Sequence, residues 1–156
     1  KCCENQFKWP LMRDRWDVKN VLYQADVYDI PNDTSMSYYG LTENEFKARC
    51  SKHKSSIRDR TRPQTTLSSY VWKLKDRETP HVVDWSIKAR GHPFSSGGRA
   101  CDLCLTEKLT MRMADQNSTL NKRDELLEAC RHRRKHLLVS LIKPPNEEEP
   151  PDTTIK

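Results

Sequence analysis

The sequence predicts an α/β (α+β) fold, a small and mainly antiparallel three-stranded sheet flanked by helices. Three observations predict it. "NVLYQADVYDI" and "SMSYYGL" near the start, and "HVVDWSI" later, alternate branched or aromatic residues with polar ones, which is the period of a strand. Between and after them, apolar residues recur at spacings of three and four, the period of a helix that buries one side. The resulting order is strand, strand, helix, helix, strand, helix, helix, which assembles most simply as one sheet with helices packed on it.

The first strand starts near Asn20 and ends at the turn formers Pro31 and Asn32, so residues 20 to 41 read as a hairpin. Thr42 and Glu45 then have the spacing of a capping box, and Phe46, Cys50, His53 and Ile57 continue at helical spacing. "RDRTRPQTT" is a polar loop whose Thr66 can cap a second helix. There Leu67, Tyr70, Val71 and Leu74 make a stripe that needs a partner surface, most simply the hairpin. After the third strand, "GHPFSSGGRA" is a loop. A third helix is predicted from Cys101 to about Ala114, with Leu105, Leu109 and Met113 along one side. "RDELLEACRHRRKH" reads as a fourth helix, "LLVSLI" as a closing apolar segment, and "KPPNEEEPPDTTIK" as too charged and proline-rich to fold. Trp72 and Trp85 fit core positions.

Composition narrows the function. The chain of 156 residues is 35% apolar and 32% charged, with a net charge of +6. Its basic residues gather in "KHKSSIRDRTR" and "RHRRKH", which favours a polyanionic partner, nucleic acid ahead of membrane, and predicts contacts to a phosphate backbone. "RHRRKH" also suits a nuclear localisation signal. No apolar run approaches the roughly 20 residues that span a bilayer, and no signal-peptide core is present. The first residue is Lys rather than Met, so the chain reads as the carboxy-terminal piece of a longer one. Cys2, Cys3, Cys50, Cys101, Cys104 and Cys130 are paired and unevenly spaced, a pattern that ranks metal binding above a disulfide framework.

Placing the chemistry-bearing residues on these elements brings several together. Arg49 and His53 are four apart on the first helix and project from one side, and that helix leaves directly from the strand bearing Tyr38. Tyr23 sits on the partner strand. Two phenols, a guanidinium and an imidazole suit phosphodiester hydrolysis: Arg stabilises charge building on the phosphorus oxygens, and a phenol or imidazole orients or deprotonates the nucleophile. A carboxylate-bound divalent ion serves the leaving oxygen, with Glu107 as its candidate ligand. Taken singly, each residue has a plainer reading. His53 is then a core histidine, Tyr23 and Tyr38 strand aromatics, Arg49 a surface charge, Glu107 a helix-face carboxylate and Asn121 a turn or cap.

In order, "VLY" at 21–23, "YYG" at 38–40, Arg49, His53, Glu107 and the Asn121 of "TLNKR" resemble the GIY-YIG nuclease domain over about residues 18–125. "VLYQADV", "YYGLTENEFKAR", "YVWKLKD", "CDLCLTEK" and "LNKRDELL" are further similar to the endonuclease attached to reverse transcriptases of Penelope-like retroelements. The resemblance implies a GIY-YIG-like sheet and a metal-dependent endonuclease that nicks DNA in the nucleus for a covalently linked reverse transcriptase. Tyr23 and Tyr38 then activate or place water, Arg49 stabilises the transition state and His53 assists proton transfer or contacts phosphate. Glu107 holds a single Mg²⁺ (or Mn²⁺), and Asn121 supports the site. The first motif departs from the family in reading "VLY", and Tyr39 stands where an aliphatic residue is usual. Residues 1–17 then form an amino-terminal segment, the remnant of a Cys-rich knuckle. Residues 18–142 form the endonuclease domain and 143–156 a disordered tail.

Cys101 with Cys104 and Cys130 with His132 supply four ligands suited to tetrahedral structural Zn²⁺, which is expected to clamp the third helix to the fourth and fix Glu107. The alternative to an enzyme is a zinc-stabilised DNA-binding module, a decayed and catalytically inactive copy.

Overall fold

The computed structural model describes residues 16–92 and 101–122. Three strands, β1 (Val21–Asp29), β2 (Thr34–Thr42) and β3 (His81–Arg90), form one antiparallel sheet in the order β2-β1-β3. Helices α1 (Phe46–Arg58) and α2 (Thr66–Asp76) lie between β2 and β3 in the chain, and α3 (Asp102–Met113) follows. The predicted class and the order of the first six elements are those observed. The expected fourth helix, the "LLVSLI" segment and both chain ends lie outside the described residues.

β1 takes the centre because it is the most apolar strand and is covered on both faces at its beginning, where Val21, Leu22 and Tyr23 are all buried. The hairpin turns through Asp33 at φ 48°, a left-handed conformation that Asp tolerates, while the Asp29 carboxylate accepts from the backbone and side-chain amides of Asn32. Alternation sends Val21, Tyr23, Ala25 and Val27 to one face, where they meet Tyr38, Val83 and Trp85 from the flanking strands. α1 and α2 seal that face with Phe46, Cys50, Ile57, Leu67, Val71 and Leu74, as the helical stripes predict. α3 packs against β2 and β1 and buries Leu103 and Cys104 with Leu41, whose side chain leaves the sheet opposite Tyr23.

Three details correct the sequence reading. The Thr42–Glu45 capping box does not form: Glu45 occupies the N-cap without a side-chain bond, and Val18 O and Trp16 O accept from the N–H groups of Phe46 and Lys47 at 2.9 Å. The entering chain caps α1 through backbone, which relieves the helix of any need for a local polar cap. The second helix is capped one residue earlier than expected, by Thr65, in a reciprocal box with Ser68. On α3 the expected apolar side points outward, with Leu109 and Met113 at 53% and 85% exposed, while Leu103, Cys104, Glu107, Lys108 and Met111 face the sheet.

Candidate active site

The sheet face beneath α1 carries a row of three cross-strand partners, Tyr38, Ala25 and Trp85. Two large rings flank a methyl group. His53 projects down from α1 with its ring 5.8 Å from that of Tyr38 and 5.4 Å from that of Trp85, so the slot above Ala25 is what admits an imidazole into an aromatic core. In the next row Tyr23 faces Gly40. A Cβ on Gly40 would lie 2.5 Å from the Tyr23 hydroxyl and 2.7 Å from Cζ, so only glycine lets the phenol lie flat across the strand.

Polar contacts then join the pieces. Arg49 Nε donates to the Tyr23 hydroxyl at 3.0 Å, the same hydroxyl meets His53 Nε2 at 2.9 Å, and the Tyr38 hydroxyl also hydrogen-bonds the guanidinium. Tyr23 is wholly buried and His53 is 2% exposed. Burial, reinforced by Tyr38, drives the Tyr23 phenol well above its ordinary range, and Arg49 only partly offsets this. Burial, with Arg49 adding repulsion, pushes His53 down to about 3, so the imidazole is neutral at physiological pH. Cys50 on the same helix is pushed up to about 12 by burial, which makes it an inert core thiol.

Arg49 and Lys52 form a ridge between two clefts. One of about 490 Å³ is bordered by Lys19, Glu43, Asn44 and Glu45; the other, of about 420 Å³, is bordered by His53, Ser55, Arg62 and Thr65. The buried polar cluster therefore reaches the surface through its guanidinium, beside other cationic side chains.

Of the sequence-predicted residues, Tyr23, Tyr38, Arg49 and His53 come together in one contact group. Asn121 acts on the backbone of β2: its Oδ1 accepts from Tyr39 N at 2.7 Å and its Nδ2 donates to Tyr39 O at 3.0 Å. With Ser118 O and Leu120 N bonded to Ser37 at 2.7 Å, residues 118–121 run parallel along the β2 edge, and the Asn121 amide extends that ladder past Tyr38. Glu107 is buried on the sheet-facing side of α3, next to buried Lys108. A single carboxylate fits Mg²⁺, which keeps several waters and takes its remaining ligands from phosphate oxygens. No group of three or more metal-ligating side chains is found among the described residues. Cys101 and Cys104 are both buried, three apart across the start of α3, the spacing of half a zinc site. Cys130 and His132 lie outside the described residues, as do Cys2 and Cys3.

Sequence reasoning treated Trp85 only as core and gave Ala25 no role. Their place in the row depends on the β1–β3 register, set across about sixty residues of chain, and only the phase of alternation in each strand hints at it. Trp72 is half-buried, held between Arg60 and Lys75 at 4.7 and 4.3 Å from its ring, with Nε1 donating to Ser56 O.

Compared with protein-family models, curated proteins and solved structures, the chain matches none.

Proposed function

We propose that this domain is a metal-dependent DNA endonuclease of GIY-YIG type that hydrolyses phosphodiester bonds. The observation that carries the reading is the contact between the Arg49 guanidinium and two buried phenols, one of which also bonds a neutral imidazole, at a ridge between two cation-bordered clefts. A guanidinium held by phenols on its inner side presents its remaining N–H groups to a phosphate. It needs little reorganisation when negative charge builds there. Tyr23 and Tyr38 fix that guanidinium, and the hydroxyl group of Tyr38, at the edge of the core, is placed to orient a water. His53 holds Tyr23, and Asn121 holds the strand that carries Tyr38. In the reaction a water oxygen attacks phosphorus while losing its proton. The bond to the leaving sugar oxygen breaks, and that oxygen gains a proton.

Glu107 would hold the divalent ion, Mg²⁺ or Mn²⁺, which when bound supplies charge neutralisation at the leaving oxygen. Cys101, Cys104, Cys130 and His132 would hold structural Zn²⁺. The basic stretches following Arg49 and near Cys130 fit a DNA backbone, and the ordered motifs fit a linked reverse transcriptase and a nuclear setting.

The complete burial of Tyr23 favours a second reading, a DNA-binding module without turnover in which the cluster is a satisfied polar core. One experiment separates the two. Supercoiled plasmid is incubated with the purified chain, with and without Mg²⁺ or Mn²⁺, beside Glu107→Ala and Arg49→Ala variants of equal zinc content. The endonuclease nicks only with added metal, and each variant loses about 10²–10³-fold in rate. DNA binding with no nicking under any metal would establish the module instead.

A further inference from the structure

Two buried polar atoms in the site face the same problem. His53 Nδ1 and Trp85 Nε1 are both shut off from solvent, and among the described residues neither has a hydrogen-bond partner. Their rings lie 5.4 Å apart, tilted by 43°, which leaves space for at most one water between two such atoms. Buried polar atoms are otherwise almost always paired.

We propose that Trp85 is a positioning residue for His53: its indole N–H and Nδ1 of His53 satisfy each other, directly or through one buried water, so that the ring proton of His53 sits on Nε2. The chemistry of the two groups leaves this as the arrangement that pairs both. An indole nitrogen only donates, whereas a neutral imidazole has one donor and one acceptor. With the proton on Nδ1, two donors would point into the same dry space, each carrying its full desolvation penalty. With the proton on Nε2, Nδ1 becomes the acceptor that Trp85 lacks. The strong downward shift of His53 agrees with a ring that is neutral and has one acceptor to fill.

The consequence falls on Tyr23. Its oxygen then accepts from two N–H groups, Arg49 Nε and His53 Nε2, so its own proton is directed elsewhere, toward an arriving water or phosphoryl oxygen. Tyr23 is thereby a donor that positions, and His53 does not take its proton. This assignment of roles rests on the hydrolytic reading above; the position of the proton does not.

The test is nitrogen NMR of the full chain with ¹⁵N-labelled histidine at pH 7, with the His53 signals identified by their loss in His53→Gln. The expected pattern is a protonated Nε2 and a bare Nδ1 in a single tautomer. A protonated Nδ1 overturns the proposal. In Trp85→Phe, which keeps an aromatic ring but removes the donor, His53 is expected to lose its single-tautomer pattern; an unchanged pattern overturns the part assigned to Trp85. Should that variant not fold, Trp85→Met with the same readout replaces it. Plasmid nicking is scored separately. A protonated Nε2 without nicking keeps the Trp85–His53 pair and removes the nuclease, whereas nicking with a protonated Nδ1 does the reverse.

Discussion

Tyr23 and Gln24 are neighbours in the chain, yet they anchor two polar clusters on opposite faces of the same sheet. Under α1, Tyr23 joins Arg49 and His53 in a shell of Phe46, Tyr38 and Trp85. On the other face, Gln24 donates to Asp26 and to Ser37 Oγ, and Ser37 Oγ donates to Asp26, all three half-buried. The hydrogen bonds are alike in kind. What differs is the medium, because water can replace a lost partner on one face and has no access on the other. Polar groups are perturbed and held in fixed geometry only where the sheet is sealed, and the sealed cluster is the one that reaches two cationic clefts.

The comparison predicts that acid strikes the sealed face first. His53 titrates near 3 in the folded chain and near 6.5 when unfolded, so between these values the unfolded state binds the extra proton. Its stabilising contribution is therefore complete above pH 6.5 and is lost as pH falls toward 3. At about 1.4 kcal/mol per pH unit, stability drops by about 2 kcal/mol between pH 7 and pH 5. Urea melts at the two values measure this, and His53→Gln removes most of the slope even though it lowers stability at both. A slope that survives the substitution breaks the comparison, since the titrating groups then lie elsewhere.

A smaller effect comes from closeness of packing. In Gly40→Ala the new methyl meets the Tyr23 ring, which is rigid and buried among Phe46, Trp85 and His53. Overpacking of that kind costs about 1–3 kcal/mol. Gly91 offers the contrast, because its added Cβ would meet Leu103 at 3.0 Å, and a Leu side chain can turn aside. Thermal melts of the two variants should rank Gly40→Ala as clearly the more damaging; equal losses would show that the Tyr23 ring has room to move.

How much of this was legible in the sequence depended on the range of the forces involved. The hairpin was readable because alternation in "VLYQADV" and a Pro-Asn turn act within a few residues. The α1 stripe was readable too, and all four of its predicted members are buried. The α1 cap was not, since the carbonyls of Trp16 and Val18 carry no side-chain signature. The α3 side was misread because hydrophobicity alone favoured Leu105, Leu109 and Met113, whereas the helix turns Glu107 and Lys108 inward, against their transfer cost. That inversion is what a sequence rule shows when another demand overrides it, and it falls on the residue proposed to hold the metal. Likewise the slot for His53 exists only once β3 pairs with β1, so Ala25 looks unremarkable until Tyr38 and Trp85 stand on either side of it.

The outer cluster supplies the finest discrimination. Ser37→Ala removes one hydroxyl that donates to Asp26 and accepts from Gln24 at 3.1 Å, but leaves the backbone bonds of residue 37 to Ser118 and Leu120 untouched. Because Gln24 also donates to Asp26 directly and water reaches the rest, the loss should stay below about 1 kcal/mol. The rate of any metal-dependent nicking should hold within twofold. A larger drop in stability, measured by urea melts, would mean that the outer face is covered by some other part of the chain. A drop in nicking at unchanged stability would mean that the sheet transmits strain from one face to the other through the Ser37–Tyr38 backbone, and that the two clusters, separated by one peptide plane, act as one.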